Sequence, residues 1–440
     1  MRYVGPMLAR SVLLLVVALC SWPHAADAIP VFARIYGKPC RTCHTVYPQL
    51  NPEGEDFRAH GLHGLPPVVQ PLRLASWLEL PGTLPLALSL GGGDNFNHSE
   101  ATAQPNRTQN DFNLLFLSIL AGGELGPHLS FLADYAPVYF DSGERRLEMQ
   151  TRPGLAFLQA HAELWGWLTN VRLGLFELPL GTSPRVHRLL TRPYLIYGVT
   201  AFSLLGRPPP VQDGRIDILQ LDSSQIGIEV SGQSLTSGAS WSVGMSNGSN
   251  NRVDNNDSKD LFLHVGQSFG LNHAGLFLYY SPDILGTGAN DEVVRFGPDL
   301  TLYAREFRVV AQWLAGYDSH PTGYSRELWY YGGFVEGNYR LTPRIISLLR
   351  GDYVGMPRFD DTPHGGRTQV RRQLWGVTGG LQWSLLENLR LVAEVTYGEN
   401  HNAVTDSTTK SVAATLRLVT AFWPFTPPGL PEWREAQSTQ

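Results

Sequence analysis

Five consecutive residues, Cys40-Arg41-Thr42-Cys43-His44, carry the clearest chemistry in the sequence. Two thiols three positions apart can each form a thioether to one porphyrin edge, and the imidazole that follows is placed to ligate the iron. The C-x-x-C-H pattern therefore reads as an attachment site for one covalent haem c, with Cys40 and Cys43 as anchors and His44 as proximal ligand. Three other chemistries fit less well. A thioredoxin-like redox pair calls for a βαβ context that does not follow. A zinc site of Cys40, Cys43, His60 and His63 has its histidines closer together than the finger pattern requires. A disulfide between Cys40 and Cys43 closes too small a loop to stabilise much.

The third cysteine, Cys20, belongs to a segment expected to be removed. Arg2 and Arg10 precede an apolar run from Ser11 to Cys20, and Ala26-Asp27-Ala28 offers small residues for cleavage, so residues 1–28 read as a secretory signal peptide. Leu19 in front of Cys20 argues against lipidation. Export agrees with haem c, which bacteria attach beyond the inner membrane. The mature methionines, Met149, Met245 and Met356, all fall in expected strands or loops. The distal iron ligand is therefore expected to be a histidine of the same segment, His60 or His63, which follow a predicted short helix from Pro52 to Ala59. The alternatives are five-coordinate iron with both histidines in a solvated loop, or a ligand from farther along the chain such as His161 or His264.

The elements that must hold this site are strands. After residue 28 no stretch approaches the twenty or so apolar residues of a spanning helix. From about Pro85 to Phe425 the sequence repeats segments of roughly ten residues with alternate apolar side chains. In one such segment Leu389, Leu391, Ala393, Val395 and Tyr397 oppose Arg390, Glu394 and Thr396. Leu158 to Leu164 alternates around Gln159, His161 and Glu163, while Trp329, Tyr331, Val335 and Tyr339 oppose Glu336, Asn338 and Arg340. Short turns are expected near Gly126-Pro127, Leu168-Thr169, Ser234 to Ser237, Asn272-His273, Glu306-Phe307, Thr342-Pro343 and Glu387-Asn388. Between them lie long polar stretches, among them Asn97 to Asn110, Tyr139 to Arg152, Gly181 to Asp217 and Asn247 to Lys259.

Short turns alternating with long loops indicate an all-β chain: an antiparallel transmembrane barrel of about sixteen strands over residues 85–425, with a polar lumen and lipid outside. Aromatics including Trp165, Trp167, Tyr279, Tyr280, Trp329, Tyr330, Trp375, Trp383, Phe422 and Trp423 are expected to form its interfacial girdles. The haem c segment, residues 29–84, is too short for a sizeable core of its own and is expected to plug or abut the barrel. A proline-rich tail, residues 426–440, follows the last strand.

With Phe32-Ala33-Arg34, the C-x-x-C-H run, Tyr47-Pro48-Gln49-Leu50-Asn51, Gly54, Phe57 and Gly61 in view, the chain resembles the fused outer-membrane cytochrome-porins, whose better-known members serve iron oxidation. Lys38-Pro39 departs from the methionine that members often carry shortly before the first cysteine. The resemblance implies one haem c joined to a sixteen-stranded barrel in the outer membrane, with Cys40 and Cys43 attaching the haem and His44 ligating it. The implied function is electron transfer from an extracellular reductant such as Fe(II) to a periplasmic carrier, in enzyme terms an Fe(II):cytochrome c oxidoreductase. The alternative is a diffusion porin with a haem-stabilised or haem-sensing plug, whose Gly181 to Asp217 loop folds inward as an anion-selective constriction. Glu163, Arg172, Asp299, Arg305, Glu336, Asp352 and Glu394 are expected to line the lumen, the acidic stretch from Asp254 to Asp260 reads as a solvated loop, and no nucleic-acid partner is expected.

Overall fold

The computed structural model describes residues 31–422, apart from 103, 142–145, 150–153, 188, 191, 207–210, 213–214, 217–218, 251–256, 285–289, 322–326, 362–367 and 387. The expected signal peptide and proline-rich tail lie outside the described residues.

Sixteen long strands form one closed antiparallel barrel. They run from β1 (Leu86–Ala101), β2 (Gln104–Glu124), β3 (Leu129–Asp141), β4 (Leu155–Leu164) and β5 (Trp167–Phe176) to β6 (Gln225–Ser234) and β7 (Ala239–Ser246). Next come β8 (Asp260–Phe269), β9 (Asn272–Ile284), β10 (Asn290–Ala304), β11 (Phe307–Asp318) and β12 (Leu328–Thr342). The circuit ends with β13 (Ile345–Asp361), β14 (Thr368–Leu386), β15 (Leu389–Asn402) and β16 (Ser407–Phe422). A four-residue strand, Arg146–Met149, pairs with the long-loop end of β3. Closure comes from β16 against β1, with Thr409 opposite Ala101 at one end and Phe422 opposite Leu88 at the other. Closure pairs the two edge strands with each other among the described residues, which is what a β-chain needs to span a membrane.

Side-chain alternation decides which face meets lipid. Leu158, Leu173, Leu263, Val265, Leu276, Leu278, Leu300, Val335, Leu349 and Leu381 are exposed, while Gln159, Arg172, Asp299, Glu336, Asn338 and Thr378 on the same strands turn inward. Apolar outside and polar inside is the pattern of an outer-membrane barrel, and it places this chain in the outer membrane. Trp165, Phe269, Phe307, Tyr339 and Trp383 form an exposed aromatic girdle at the short-turn end. Two residues expected in the girdles are not there: Tyr279 and Tyr330 are 0% and 2% exposed and face the lumen.

Several boundaries differ from the sequence expectation. The turn expected at Leu168-Thr169 is made by Trp165 and Gly166, both at positive φ (52° and 78°), the geometry that a two-residue hairpin connection favours. Likewise Gly270-Leu271 turns the chain ahead of Asn272-His273. Arg305 therefore sits in a turn and does not line the lumen, whereas Glu163 shares the inward strand face of Gln159 and His161 and is exposed near the strand end. The polar stretch from Asn97 to Asn110 is a continuation of β1 and β2, with Asn97 opposite Gln109 and His98 opposite Thr108. Polar strands projecting beyond lipid lose the apolar alternation that makes strands visible in sequence.

The lumen is not uniformly polar as expected. The connection between β5 and β6 folds inward, and its Leu178, Leu180, Tyr194, Ile196, Tyr197 and Leu204 pack against Phe262, Phe277, Tyr279, Val310, Phe334 and Val354 of the wall. The main hydrophobic core thus lies inside the barrel, and each fully buried side chain in it contributes about 1.5–3 kcal/mol.

Candidate functional site

The C-x-x-C-H residues occupy a short turn ahead of a helix. After α1 (Val31–Tyr36) the chain forms a 3-10 turn over Cys40–Thr42, a small hairpin pairing His44–Val46 with Gln49–Leu50, and α2 (Pro52–Ala59). Asn51 caps α2 by accepting from Gly54 N at 2.9 Å, with Pro52 in the first helical turn, where its missing N–H costs nothing. The same side chain donates to the carbonyls of Arg41 (3.2 Å) and Thr42 (2.9 Å), and its backbone N–H donates to Cys43 O at 3.0 Å. One asparagine therefore fastens the helix to the cysteine turn. Gly54 is required beside it, since a Cβ there would lie 2.2 Å from Cys43 O.

In a 3-10 turn residues i and i+3 eclipse, so Cys40 and Cys43 project to the same side. Neither is in a disulfide, both are of intermediate exposure, and burial together with Glu53 pushes the Cys43 thiol up. The His44 Nδ1 lies 3.1 Å from Pro48 O. A carbonyl only accepts, so Nδ1 carries the proton and Nε2 keeps the lone pair that a metal would use. Burial is the main influence on His44 and pushes its pKa down, favouring that neutral ring.

His60 and His63 lie beyond the far end of α2 from this turn. His60 Nδ1 faces Asp56 O at 2.8 Å. His63 is buried, with Nδ1 and Nε2 each 2.9 Å from a backbone carbonyl, those of Gly61 and Gly126. Its ring lies 3.9 Å from that of His161, which in turn is 5.7 Å from His128. The structure thus gathers His60 and His63 with His161 and His128, at the opposite end of α2 from His44.

The segment containing these residues docks inside the short-turn end of the barrel. Gly122 and Gly123 of β2 leave room for Phe32 and Ile35, and Tyr36 Oη donates to Glu124 at 2.7 Å. Ser130 Oγ donates to Gly61 O (2.7 Å) and Asn170 Nδ2 to Ala59 O (2.8 Å). Across the lumen, Val46 packs with Leu189 and Leu190 of the inward loop and with Ile346 and Leu348 of β13. Leu50 N donates to Val186 O at 3.2 Å.

Glu55 makes the charged part of this docking. His187 Nδ1 accepts from Ser183 N at 2.9 Å, so its Nε2 donates to Glu55 Oε1, 2.5 Å away. Burial pushes the Glu55 carboxyl up, but His187, with Arg58 and Arg308 behind it, outweighs burial and holds it at about 2, against an ordinary 4.5. His44 and His273 are also within its electrostatic reach. A depressed carboxylate stabilises the docked state above its undocked pKa and loses that contribution as pH falls through the docked one. Proteolytic protection of residues 31–64 is therefore expected to decline between pH 4.5 and about 2. In Glu55→Gln the protection is expected to be weaker at neutral pH and flatter across that window. Identical profiles for the two proteins would remove Glu55 from the docking.

The inward loop is fastened at several points. Arg185 pairs with Asp134 (3.3 Å) and Glu177 (3.6 Å), Tyr197 Oη donates to Thr182 O (2.9 Å), and Gln382 donates to Leu189 O. Arg350, fully buried on β13, donates to the carbonyls of Arg192 and Pro193, both at 3.0 Å, and to Asp352 at 2.8 Å.

No protein-family model matches the sequence, nor does any curated protein. Solved structures do match. An anion-selective porin from Comamonas acidovorans shares 11% identity over 77% of this chain and 99% of its own, with a TM-score of 0.52. The outer membrane channel DcaP of Acinetobacter baumannii shares 10% over 77% and 96%, with a TM-score of 0.47. OmpT of Vibrio cholerae shares 12% over 79% and 100%, with a TM-score of 0.44. The likeness is one of fold: this chain is a porin-like barrel.

Sequence reasoning had placed Arg172, Asp299, Glu336, Asp352 and Glu394 inside, and all five turn inward. It did not find Arg350 as the anchor of the loop, or the meeting of His264, His273 and Asp299. Both depend on the register between strands, whereas alternation reports only which side of one strand a residue occupies.

Proposed function

We propose that this outer-membrane barrel is a cytochrome-porin whose residues 29–84 carry one haem c at the periplasmic mouth of the lumen. It takes electrons from an extracellular reductant such as Fe(II) and gives them to a periplasmic carrier. The observation that carries the reading is the cysteine turn itself, with Cys40 and Cys43 on one side of a single 3-10 turn and His44 oriented by Pro48 O. A bound haem c would supply one-electron redox chemistry. Cys40, Cys43 and His44 suit attachment and proximal ligation as they stand. The distal position would fall to His60 or His63, but α2 stands between both of them and His44, so the segment would have to rearrange; His63 would also give up two carbonyl contacts and His60 one.

Placement supports the reading from both sides. Short turns of outer-membrane barrels face the periplasm, so a segment docked there is within reach of a soluble carrier. Toward the long loops, a cavity of about 240 Å³ is lined by Asp134, Gly154, Arg185, Asp222, Ser223 and Ser224; with Asp134 paired to Arg185, Asp222 is the lining carboxylate that would favour a cationic donor.

A second reading, a diffusion porin whose haem-bearing segment stabilises or gates the pore, draws support from the fold likeness to the Comamonas porin. That porin is anion-selective, and this inward loop carries Arg185, His187 and Arg192. Here, however, Arg185 is paired with Asp134 and Glu177, and His187 with Glu55.

The deciding experiment is stopped-flow haem absorbance of the matured protein mixed anaerobically with Fe(II), beside planar-bilayer recordings of the same preparation. Rapid reduction that is lost in His44→Ala, with a pore closed or nearly so, is the expected result. A haem that stays oxidised, in a fully open pore with a clear ion preference, would establish the second reading.

A further inference from the structure

We propose that His264, His273 and Asp299 form a lumen-wall binding site for a divalent first-row transition-metal ion such as Zn²⁺. The site is separate from the cysteine turn and does not rest on the haem reading.

Register brings the three together. Gly266 on β8, Gly275 on β9 and Asp299 on β10 lie in one row across adjacent strands. His264 is two residues from that row on β8, away from the short turn, and His273 is two residues from it on β9, toward the turn. All three side chains share the inward face, and the two rings stack with centroids 6.0 Å apart. His264 Nε2 is 2.8 Å from Asp299 Oδ2, and His273 Nε2 is 3.8 Å from Oδ1. One ligand atom from each residue falls within 4.8 Å of the other two. Neighbouring ligands at about 2.0–2.2 Å from one metal lie about 3–3.5 Å apart, so side-chain movements on the order of 1–2 Å would complete coordination.

Two further features distinguish this group from an ordinary histidine–aspartate hydrogen bond. The Asp299 side chain is 1% exposed, yet its Oδ1 has no hydrogen-bond partner. A buried carboxylate oxygen left this way is costly unless a cation completes it. Glycines also let the backbone approach the ligands closely, where any side chain would displace them. A Cβ on Gly275 would lie 2.6 Å from His264 Nε2 and 2.7 Å from Asp299 Oδ2, and one on Gly266 would lie 2.4 Å from His273 Cε1. From the inward loop, a Cβ on Gly181 would meet Asp299 Cγ at 1.9 Å. Two imidazoles and one carboxylate suit zinc, iron(II), cobalt(II) or nickel(II), and the imidazoles disfavour magnesium and calcium.

The test is calorimetric titration of Zn²⁺ into the full, untagged chain refolded in detergent, in the Cys40→Ser/Cys43→Ser background so that haem iron does not interfere. One ion per chain is expected, with affinity falling about 100-fold or more in His264→Gln and in Asp299→Asn. His161→Gln, which alters the other histidine group, is expected to leave binding unchanged. Absence of saturable binding, or binding lost only in His161→Gln, would overturn the proposal. Where a variant fails to regain the heat-modifiable mobility of a folded barrel, Cu²⁺ electron paramagnetic resonance of the parent protein decides instead. Hyperfine coupling to two imidazole nitrogens supports the site, and oxygen-only coordination overturns it.

Discussion

Cys40→Ser/Cys43→Ser is expected to abolish covalent haem completely while leaving the barrel closed. The effect is all or nothing because no other thiol is available: the third cysteine, Cys20, lies in the expected leader. Folding is expected to survive because neither sulfur is part of a disulfide, and the turn is fastened by backbone groups and Asn51. Barrel closure rests on ladders such as β16 against β1, which the cysteines do not touch. The chain would be produced with a c-type maturation system, then examined by haem staining after denaturing electrophoresis and by heat-modifiable mobility. Each single variant is expected to keep one thioether and to show a shifted haemochrome band. His44→Ala is expected to keep the covalent link but change the axial-ligand spectrum, which separates attachment from ligation. Covalent haem persisting in the double variant would show that the cysteine turn is not its anchor.

The turn that brings Cys40 and Cys43 together was legible because it is local. Thiols at i and i+3 followed by an imidazole need only one turn of chain to converge, and that turn is what Cys40–Thr42 forms. The barrel was legible for a related reason: lipid outside and side-chain packing inside write a period of two into each strand. Where one of these pressures lapses, the reading fails. From Asn97 to Asn110 both faces are polar, so strand looked like loop. At Tyr279 and Tyr330 an aromatic residue looked like a girdle residue, although it faces the inward loop. His60 and His63 are close in sequence to the cysteine turn, but the length of α2 leads away from His44. Nothing in their spacing reveals that direction, because it is set by Asn170, Ser130 and Gly126 holding the far end of the segment.

The second large effect is expected at Arg350, whose replacement by methionine should both destabilise the barrel and release the inward loop. Arg350 has no exposed surface. Its guanidinium spends two donors on the carbonyls of Arg192 and Pro193 and one on Asp352, and it lies 4.9 Å from the centre of the Tyr194 ring. Tyr194 in turn stacks on Phe334 at 3.9 Å, and Asp352 accepts from Leu195 N at 3.1 Å. One side chain and its neighbouring carboxylate thus hold four consecutive residues of the loop, Arg192 to Leu195, against the wall. Glu336, also fully buried, has no hydrogen bond to either carboxylate oxygen and relies on the Arg350 charge 3.8 Å away. Methionine preserves much of the volume but takes the nearest cation from Glu336, which keeps only the more distant Arg308, and one donor from Asp352, which keeps Leu195 N, a loss of about 3–5 kcal/mol for a broken buried pair. Urea unfolding monitored by electrophoretic mobility is expected to show that loss. Asp352→Asn, which keeps the shape and removes one charge, is expected to cost less, about 1.5–3 kcal/mol. In bilayers Arg350→Met is expected to give larger and noisier openings, because the clamp on the loop is gone while the N-terminal segment stays docked through β2 to β5. A stability loss with unchanged conductance would mean that the apolar packing of Tyr194, Tyr197 and Leu204 positions the loop unaided. In that case Arg350 only compensates the charges of Glu336 and Asp352.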